Sequence, residues 1–135
     1  MRERSTYSGA ADGGVRDLLR AEGLSLLAAT VALYGHIGGD WWMFALLFLV
    51  PDVSFAGYLA GPRVGALSYN LMHAMVAPLL LGAVGVSLGS QTGVCLCLIW
   101  LAHIGFDRAL GYGLKHAKGF GFTHLGHIGK LATER

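Results

Sequence analysis

Long apolar stretches separated by short polar breaks dominate this chain. Four of them occur, at residues 18–37, 41–60, 64–88 and 93–114. Each approaches or exceeds the roughly 20 residues that an α-helix needs to cross about 30 Å of hydrocarbon. The alternating pattern of a membrane β-strand is absent, and helices satisfy their own backbone hydrogen bonds in lipid. The pattern therefore predicts four transmembrane helices.

The connections between these segments are very short. Gly61-Pro62-Arg63, for example, leaves room only for a tight turn. Consecutive helices must then run antiparallel beside each other, so we predict an all-α, up-down four-helix bundle over residues 16–114. Residues 1–15 are rich in serine and glycine and are predicted to form a flexible tail. Residues 115–135 are too polar to span and are predicted to form a cytoplasmic or interfacial tail.

Composition agrees with a membrane protein. The chain is 54% hydrophobic and 13% charged, with a mean hydropathy of +0.55, whereas a soluble domain carries about 25% charged residues. We therefore expect the lipid bilayer, and no nucleic acid, as its partner. A homo-oligomer and a subunit of a membrane complex both stay open.

The placement of the basic residues predicts the orientation. With four crossings, all ten of them fall on one side of the membrane, which the positive-inside rule makes cytoplasmic. Both termini are then predicted to be cytoplasmic. These residues are Arg2, Arg4, Arg16, Arg20, Arg63, Arg108, Lys115, Lys118, Lys130 and Arg135.

Two prolines interrupt the predicted helices inside the membrane. Pro51 should leave the carbonyl of Leu47 without its helical donor, and Pro78 should do the same to Ala74. Such carbonyls are tolerated where protein or a wet cavity satisfies them. The alternative is a kink that only improves packing.

Four ionisable residues lie inside the apolar segments: Asp52, His73, His103 and Asp107. A charged side chain at the centre of a membrane helix costs roughly 2.5–3.5 kcal/mol on insertion scales, so these residues need partners or a function. His103 and Asp107 share one helix face at i,i+4 spacing. Counted at 1.5 Å per residue, all four lie between the inner interface and the midplane. We expect helices two, three and four to direct them at one another.

Two imidazoles and two carboxylates are ligands that zinc, manganese or iron accepts. The sequence thus indicates a metal site formed by Asp52, His73, His103 and Asp107, with Asn70, Tyr69 and Tyr58 around it. The same residues also suit proton or ion handling. A third interpretation is a hydrogen-bonded polar core that only fixes helix register.

The chain resembles the small bacterial integral membrane proteins grouped as domain of unknown function 4260. The resemblance covers about residues 17–129, and its most distinctive run extends from Trp100 to Arg108. The chain departs from the family pattern at His116-Ala117, where an aromatic residue and a proline are expected. The other matching runs are Arg20-Ala21-Glu22-Gly23, Asp40-Trp41-Trp42, Pro51-Asp52-Val53-Ser54, Gly57-Tyr58, Gly61-Pro62-Arg63-Val64-Gly65, Tyr69-Asn70 with His73, Gly111-Tyr112-Gly113-Leu114-Lys115 and Thr123-His124-Leu125-Gly126.

The resemblance implies a four-helix protein of the bacterial cytoplasmic membrane and supplies no activity. No phosphate loop, CxxC pair or HExxH motif is present in the sequence. The leading hypothesis is metal binding, with hydrolytic chemistry on a lipid-like substrate. The alternative is a non-enzymatic protein, either an ion- or proton-handling protein or a small accessory subunit.

Overall fold

A computed structural model describes residues 13–114, 122–123 and 126–127. Within these residues the fold is helical, as predicted, apart from two strands of two residues each that pair antiparallel. The predicted tails lie largely outside the described residues, although the first helix already begins at Gly13. The elements are α1 (Gly13–His36), α2 (Trp41–Leu47), a 3₁₀ helix (Val50–Ala60), α3 (Pro62–His73), α4 (Val76–Ser87), α5 (Gln91–Ala109), β1 (Phe122–Thr123) and β2 (Gly126–His127).

Together the helices form four segments that are long and apolar enough to cross a membrane. Their outward faces carry large apolar side chains, such as Trp42 and Leu59, which are exposed as the surface of a spanning bundle in lipid would be. The protein is therefore a four-helix membrane-protein candidate by length, composition and surface. The segments are Gly13–His36, Trp41–Ala60, Pro62–Ser87 and Gln91–Ala109.

α5 is the central helix of the bundle. It packs on α1 along one side and on α4 along another, and most residues from Cys95 to Gly105 are buried. Gly23 of α1 meets Gly105 of α5 so closely that a Cβ on Gly23 would lie 2.9 Å from the Gly105 carbonyl oxygen. Small residues allow this backbone approach. The contact fixes the position of the part of α5 that carries His103 and Asp107.

The end of the bundle far from Gly61 is closed by capped turns. The Asp40 side chain accepts a hydrogen bond from the Trp42 amide (2.8 Å), and its carbonyl accepts one from the buried Tyr34 hydroxyl (2.6 Å). The Ser90 hydroxyl caps α5 by accepting from the Gly93 amide at 3.1 Å. These caps satisfy the backbone donors that a helix start leaves free.

The second spanning segment changes its helix type before Pro51. α2 ends at Leu47, and the chain continues from Val50 as a 3₁₀ helix with Pro51 in its first turn. The missing N–H of proline is harmless at that position. Because a 3₁₀ helix rises about 2.0 Å per residue, Asp52 lies farther from the Gly61 turn than α-helical counting predicts.

The third segment is broken between α3 and α4. Ala74 has an extended backbone (φ −86°, ψ 146°), and α4 begins two residues before Pro78. The break leaves the Met72 carbonyl without a helical donor, and the indole Nε1–H of Trp100 donates to it at 2.6 Å. Here a protein side chain satisfies a backbone group freed by a helix break, as lipid surroundings would require.

Candidate metal centre

The four ionisable residues of the apolar segments converge on one point. Asp52 lies in the first turn of the 3₁₀ helix, and His73 is the last residue of α3. His103 and Asp107 come from adjacent turns of α5. With one ligand atom taken from each residue, all four atoms lie within 4.8 Å of one another. The proximity that the sequence predicts is therefore present.

The distances within this cluster are short and similar. The Nε2 atoms of His73 and His103 are 3.0 Å apart. Asp52 Oδ1 lies 3.3 Å from His73 Nε2 and 3.2 Å from His103 Nε2. Asp107 Oδ2 lies 3.3 Å from each of the same two nitrogens. Each carboxylate thus faces both imidazoles across a common centre.

The four nitrogen–oxygen distances are close to the edges of a metal tetrahedron. With Zn–N and Zn–O bonds of about 2.0–2.2 Å, the ligand atoms of a tetrahedral site are roughly 3.3–3.6 Å apart. The observed nitrogen–oxygen distances are 3.2–3.3 Å. A cation at the centre would also offset the charge of two carboxylates that are otherwise costly to bury.

The hydrogen bond on the far side of the His73 ring determines which nitrogen faces the cluster with a lone pair. Nδ1 of His73 lies 2.9 Å from the carbonyl oxygen of Tyr69. A carbonyl only accepts, so Nδ1 must carry the proton, and in the neutral ring Nε2 is then unprotonated. Metal-binding histidines are commonly oriented in this way by a second hydrogen bond.

His103 is the most deeply buried member of the cluster, with 1% of its side chain exposed. The Phe48 ring packs edge-on against its imidazole, with the ring centroids 5.4 Å apart. The backbone of Phe48 also lies close enough to interact with the imidazole. The His103 Nδ1 atom is buried and forms no hydrogen bond of standard geometry with the described residues. Apolar packing, together with the facing His73 ring, holds the His103 ring in place.

The two carboxylates differ in accessibility. The Asp107 side chain is 14% exposed, and the Tyr69 hydroxyl donates to its Oδ2 at 3.4 Å. The Asp52 side chain is 35% exposed. The cluster is therefore enclosed on the Asp107 side and open on the Asp52 side, which is where a small molecule would reach it.

The predicted neighbours occupy different places. Tyr69 stacks on His73 with ring centroids 3.8 Å apart, in addition to its bond with Asp107. Tyr58 packs over Gly65, one helical turn before Tyr69. Asn70 is half-buried on α3, and its carbonyl accepts from the Ala74 amide at 2.8 Å.

Sequence reasoning missed the two phenylalanines that surround the histidines. Phe48 packs on His103, and Phe55 lies 5.0 Å from the Tyr69 ring and 6.5 Å from the His73 ring. Both rings flank Asp52 in the sequence, four residues before it and three after it. That spacing places them near one helix face with Asp52 and could have identified them.

The fold and the cluster define the class: a four-helix protein, apolar enough to span a membrane, with a buried group of two histidines and two aspartates. A family model, described as Domain of unknown function (DUF4260), matches residues 16–128, so the chain belongs to this family. Comparison with curated proteins and with solved structures gives no match. No activity therefore comes from a relative, and the function must be argued from the site.

Proposed function

We propose that this protein binds one divalent metal ion through Asp52, His73, His103 and Asp107. The observation that carries the proposal is the nearly equal spacing of the ligand atoms, 3.0–3.3 Å for every pair that includes a histidine nitrogen. The Nδ1–H bond of His73 supports it, because it leaves the Nε2 lone pair directed at the centre.

The donor set supports zinc ahead of manganese or iron. Two imidazole nitrogens and two carboxylate oxygens suit Zn²⁺, which has no geometric preference of its own and is commonly four-coordinate. Manganese and iron usually take more ligands. They would need further ligands from water on the open Asp52 side.

We further propose that the site performs hydrolysis on a lipid-like substrate. A divalent cation at this position would supply a Lewis acid and lower the pKa of a bound water toward neutrality. In hydrolysis of an ester, the water oxygen bonds to the carbonyl carbon, the bond to the alcohol oxygen breaks, and the alcohol takes up a proton. Catalytic zinc keeps one position open to water, so in this reaction Asp52, the accessible carboxylate, would leave the metal and accept the proton of that water.

The setting of the proposed site is a bacterial cytoplasmic membrane with both termini in the cytoplasm. The support is the one-sided distribution of basic residues in the sequence. This orientation places the Gly61 turn and the end of α5 on the cytoplasmic side, and the Asp40 and Ser90 caps outside. Oligomerisation, or membership of a larger complex, stays a prediction.

Elemental analysis of detergent-purified protein tests the metal proposal. Wild-type protein should carry about one metal ion per chain, and His103→Ala and Asp52→Ala should each lose most of it. His36→Ala is the matched control, since His36 is exposed at the far end of α1. It should keep the metal.

A wild-type protein that folds normally and carries no metal after purification in metal-supplemented buffer would refute the proposal. The short contact between the two Nε2 atoms would then indicate a shared proton instead. Proton flux into liposomes that is lost in His73→Ala would support that alternative, which is the ion-handling function.

A further inference from the structure

An apolar groove lies next to the metal centre, toward the Asp40 and Ser90 end of the bundle. Its volume is about 220 Å³, and it is partly open to the surroundings. None of the side chains that line it carries a charge. They are Leu47, Val50, Pro51, Met72, Leu81, Leu96, Ile99 and Trp100.

The walls of the groove are continuous with the proposed ligands. Pro51 directly precedes Asp52, and Met72 directly precedes His73. On α5, Ile99 lies one helical turn before His103. On three separate helices, therefore, the groove begins where the metal centre ends.

The two helix breaks are at the walls of the groove. Pro51 starts the 3₁₀ helix on one side, and the extended Ala74 separates α3 from α4 on the other. Trp100 lines the groove, and its indole N–H donates a hydrogen bond to the freed Met72 carbonyl. The two helix breaks thus have a second consequence besides bending, because the bent helices leave space between them.

We infer that this groove holds a single acyl chain of an amphiphile whose polar end lies at the metal centre. The inference rests on the proposed metal-dependent function and names its substrate class. The groove is part of the lipid-facing surface of the spanning segments, where acyl chains are the solvent. Its volume is below the roughly 300–1,000 Å³ of sites that hold a whole small molecule, so it fits a chain and not a complete lipid.

The dimensions and charges agree with that occupant. Leu96 lies seven residues before His103 on α5, so the groove extends about 10 Å from the metal centre at 1.5 Å per residue. A metal ion binds carboxylate, ester or phosphate oxygens, and Asp52, the most accessible of the four proposed ligands, is the one that such a group would displace. One end of the site is thus suited to an oxygen-bearing headgroup and the other to hydrocarbon.

Native mass spectrometry with dodecanoic acid tests the inference. The protein is kept in a sterol-based detergent, which has no acyl chain to compete, and the spectrum resolves bound metal and bound fatty acid separately. Leu81→Trp should fill the groove and lower fatty-acid occupancy at least tenfold while the metal stays bound. The matched control is Leu80→Trp, because Leu80 is 63% exposed on the neighbouring position of α4. It should bind both ligands as wild type does.

Two further variants separate the possible failures. Leu96→Phe narrows the groove from the α5 side and should weaken fatty-acid binding with less risk to folding. His103→Ala, which lacks the metal, should bind dodecanoic acid roughly tenfold more weakly, since the carboxylate loses its ligand. Retained metal with equal fatty-acid occupancy in wild type, Leu81→Trp and Leu80→Trp would overturn the groove inference alone. Wild-type protein without metal would overturn the metal centre and this inference together.

Discussion

Nδ1 of His73 lies 2.9 Å from the carbonyl oxygen of Tyr69, one turn earlier on the same helix. In most helices that carbonyl would be satisfied by the backbone amide of residue 73 alone, so the imidazole adds a second donor to it. The consequence reaches the other end of the ring, where Nε2 faces His103, Asp52 and Asp107. A local contact within α3 thereby orients one imidazole of a cluster built from three helices.

The four converging nitrogen and oxygen atoms predict the visible absorption spectrum of a cobalt-substituted protein. Co²⁺ added to metal-free protein should give the intense visible absorption of a four-coordinate ion, because two nitrogens and two oxygens surround the centre. Titration should saturate at about one equivalent. The weak absorption of an octahedral ion would show that water completes a larger shell and would contradict the four-ligand geometry. His103→Ala should abolish the signal.

The hydroxyl of Tyr69 predicts a smaller effect on metal binding than loss of a ligand. Tyr69→Phe removes the donor to Asp107 Oδ2 but keeps the aromatic ring stacked on His73. Outer partners of metal ligands typically contribute 10–100-fold in affinity. Since this bond is long, at 3.4 Å, we expect about tenfold weaker zinc binding in competition with a chromogenic chelator.

Tyr34→Phe is the control for that measurement. Tyr34 is also a buried tyrosine with a hydroxyl bond, to the Asp40 carbonyl, but it lies at the other end of the bundle. Its loss should lower the free energy of unfolding by about 1 kcal/mol and leave zinc affinity unchanged. Equal zinc affinity in Tyr69→Phe and wild type would mean that Tyr69 acts only through its ring.

Much of the fold could be predicted from the sequence because a helix that crosses a bilayer needs about 20 mostly apolar residues. Apolar length predicts the four helices, and the prolines indicate that two of them are interrupted. The type of each break could not be predicted. Whether the chain continues past Pro51 as a kinked α-helix or as a 3₁₀ helix depends on which side chains pack beside it. In the third segment the break is at the extended Ala74, four residues before Pro78.

The proximity of the two histidines and two aspartates could be predicted for a related reason. Ionisable residues are so costly in hydrocarbon that Asp52, His73 and Asp107 had few alternatives to facing each other. The apolar part of the site gave no comparable signal. Met72 and Leu81 look like any other membrane residues in the sequence, and only the bending of their helices makes them walls of a groove.

The close crossing of α1 and α5 predicts that the stability of the bundle depends strongly on Gly23. A methyl group at Gly23 would meet Arg108 Cβ at 2.6 Å and the Ala109 amide nitrogen at 2.8 Å, and the backbone cannot yield easily. Gly23→Ala should therefore destabilise the bundle by about 1–3 kcal/mol, as overpacking does. Gly14→Ala on the same helix is the control, because nothing lies within 4 Å of its added methyl group.

Unfolding in mixed detergent micelles, followed by circular dichroism, measures both changes. Gly14→Ala should be neutral or slightly stabilising, since alanine has the higher helix propensity. A Cβ atom on Gly23 would lie 2.9 Å from the Gly105 carbonyl oxygen. If Gly23→Ala were as stable as wild type, α1 and α5 would have to be farther apart than this distance implies.

The indole of Trp100 predicts a stability effect that its size alone would not explain. Trp100→Phe keeps an aromatic ring in the groove wall but removes the donor to the Met72 carbonyl, which has no helical partner at the α3–α4 break. An unsatisfied carbonyl in an apolar setting costs about 1–3 kcal/mol, so the variant should unfold more readily by that amount. Trp42→Phe, at an exposed indole, should change stability little.

Because Met72 directly precedes His73, Trp100→Phe should also loosen the metal centre and speed zinc release to a chelator. Unchanged stability together with unchanged zinc release would show that the break is held by other contacts, and the link between the helix break and the metal centre would then be wrong.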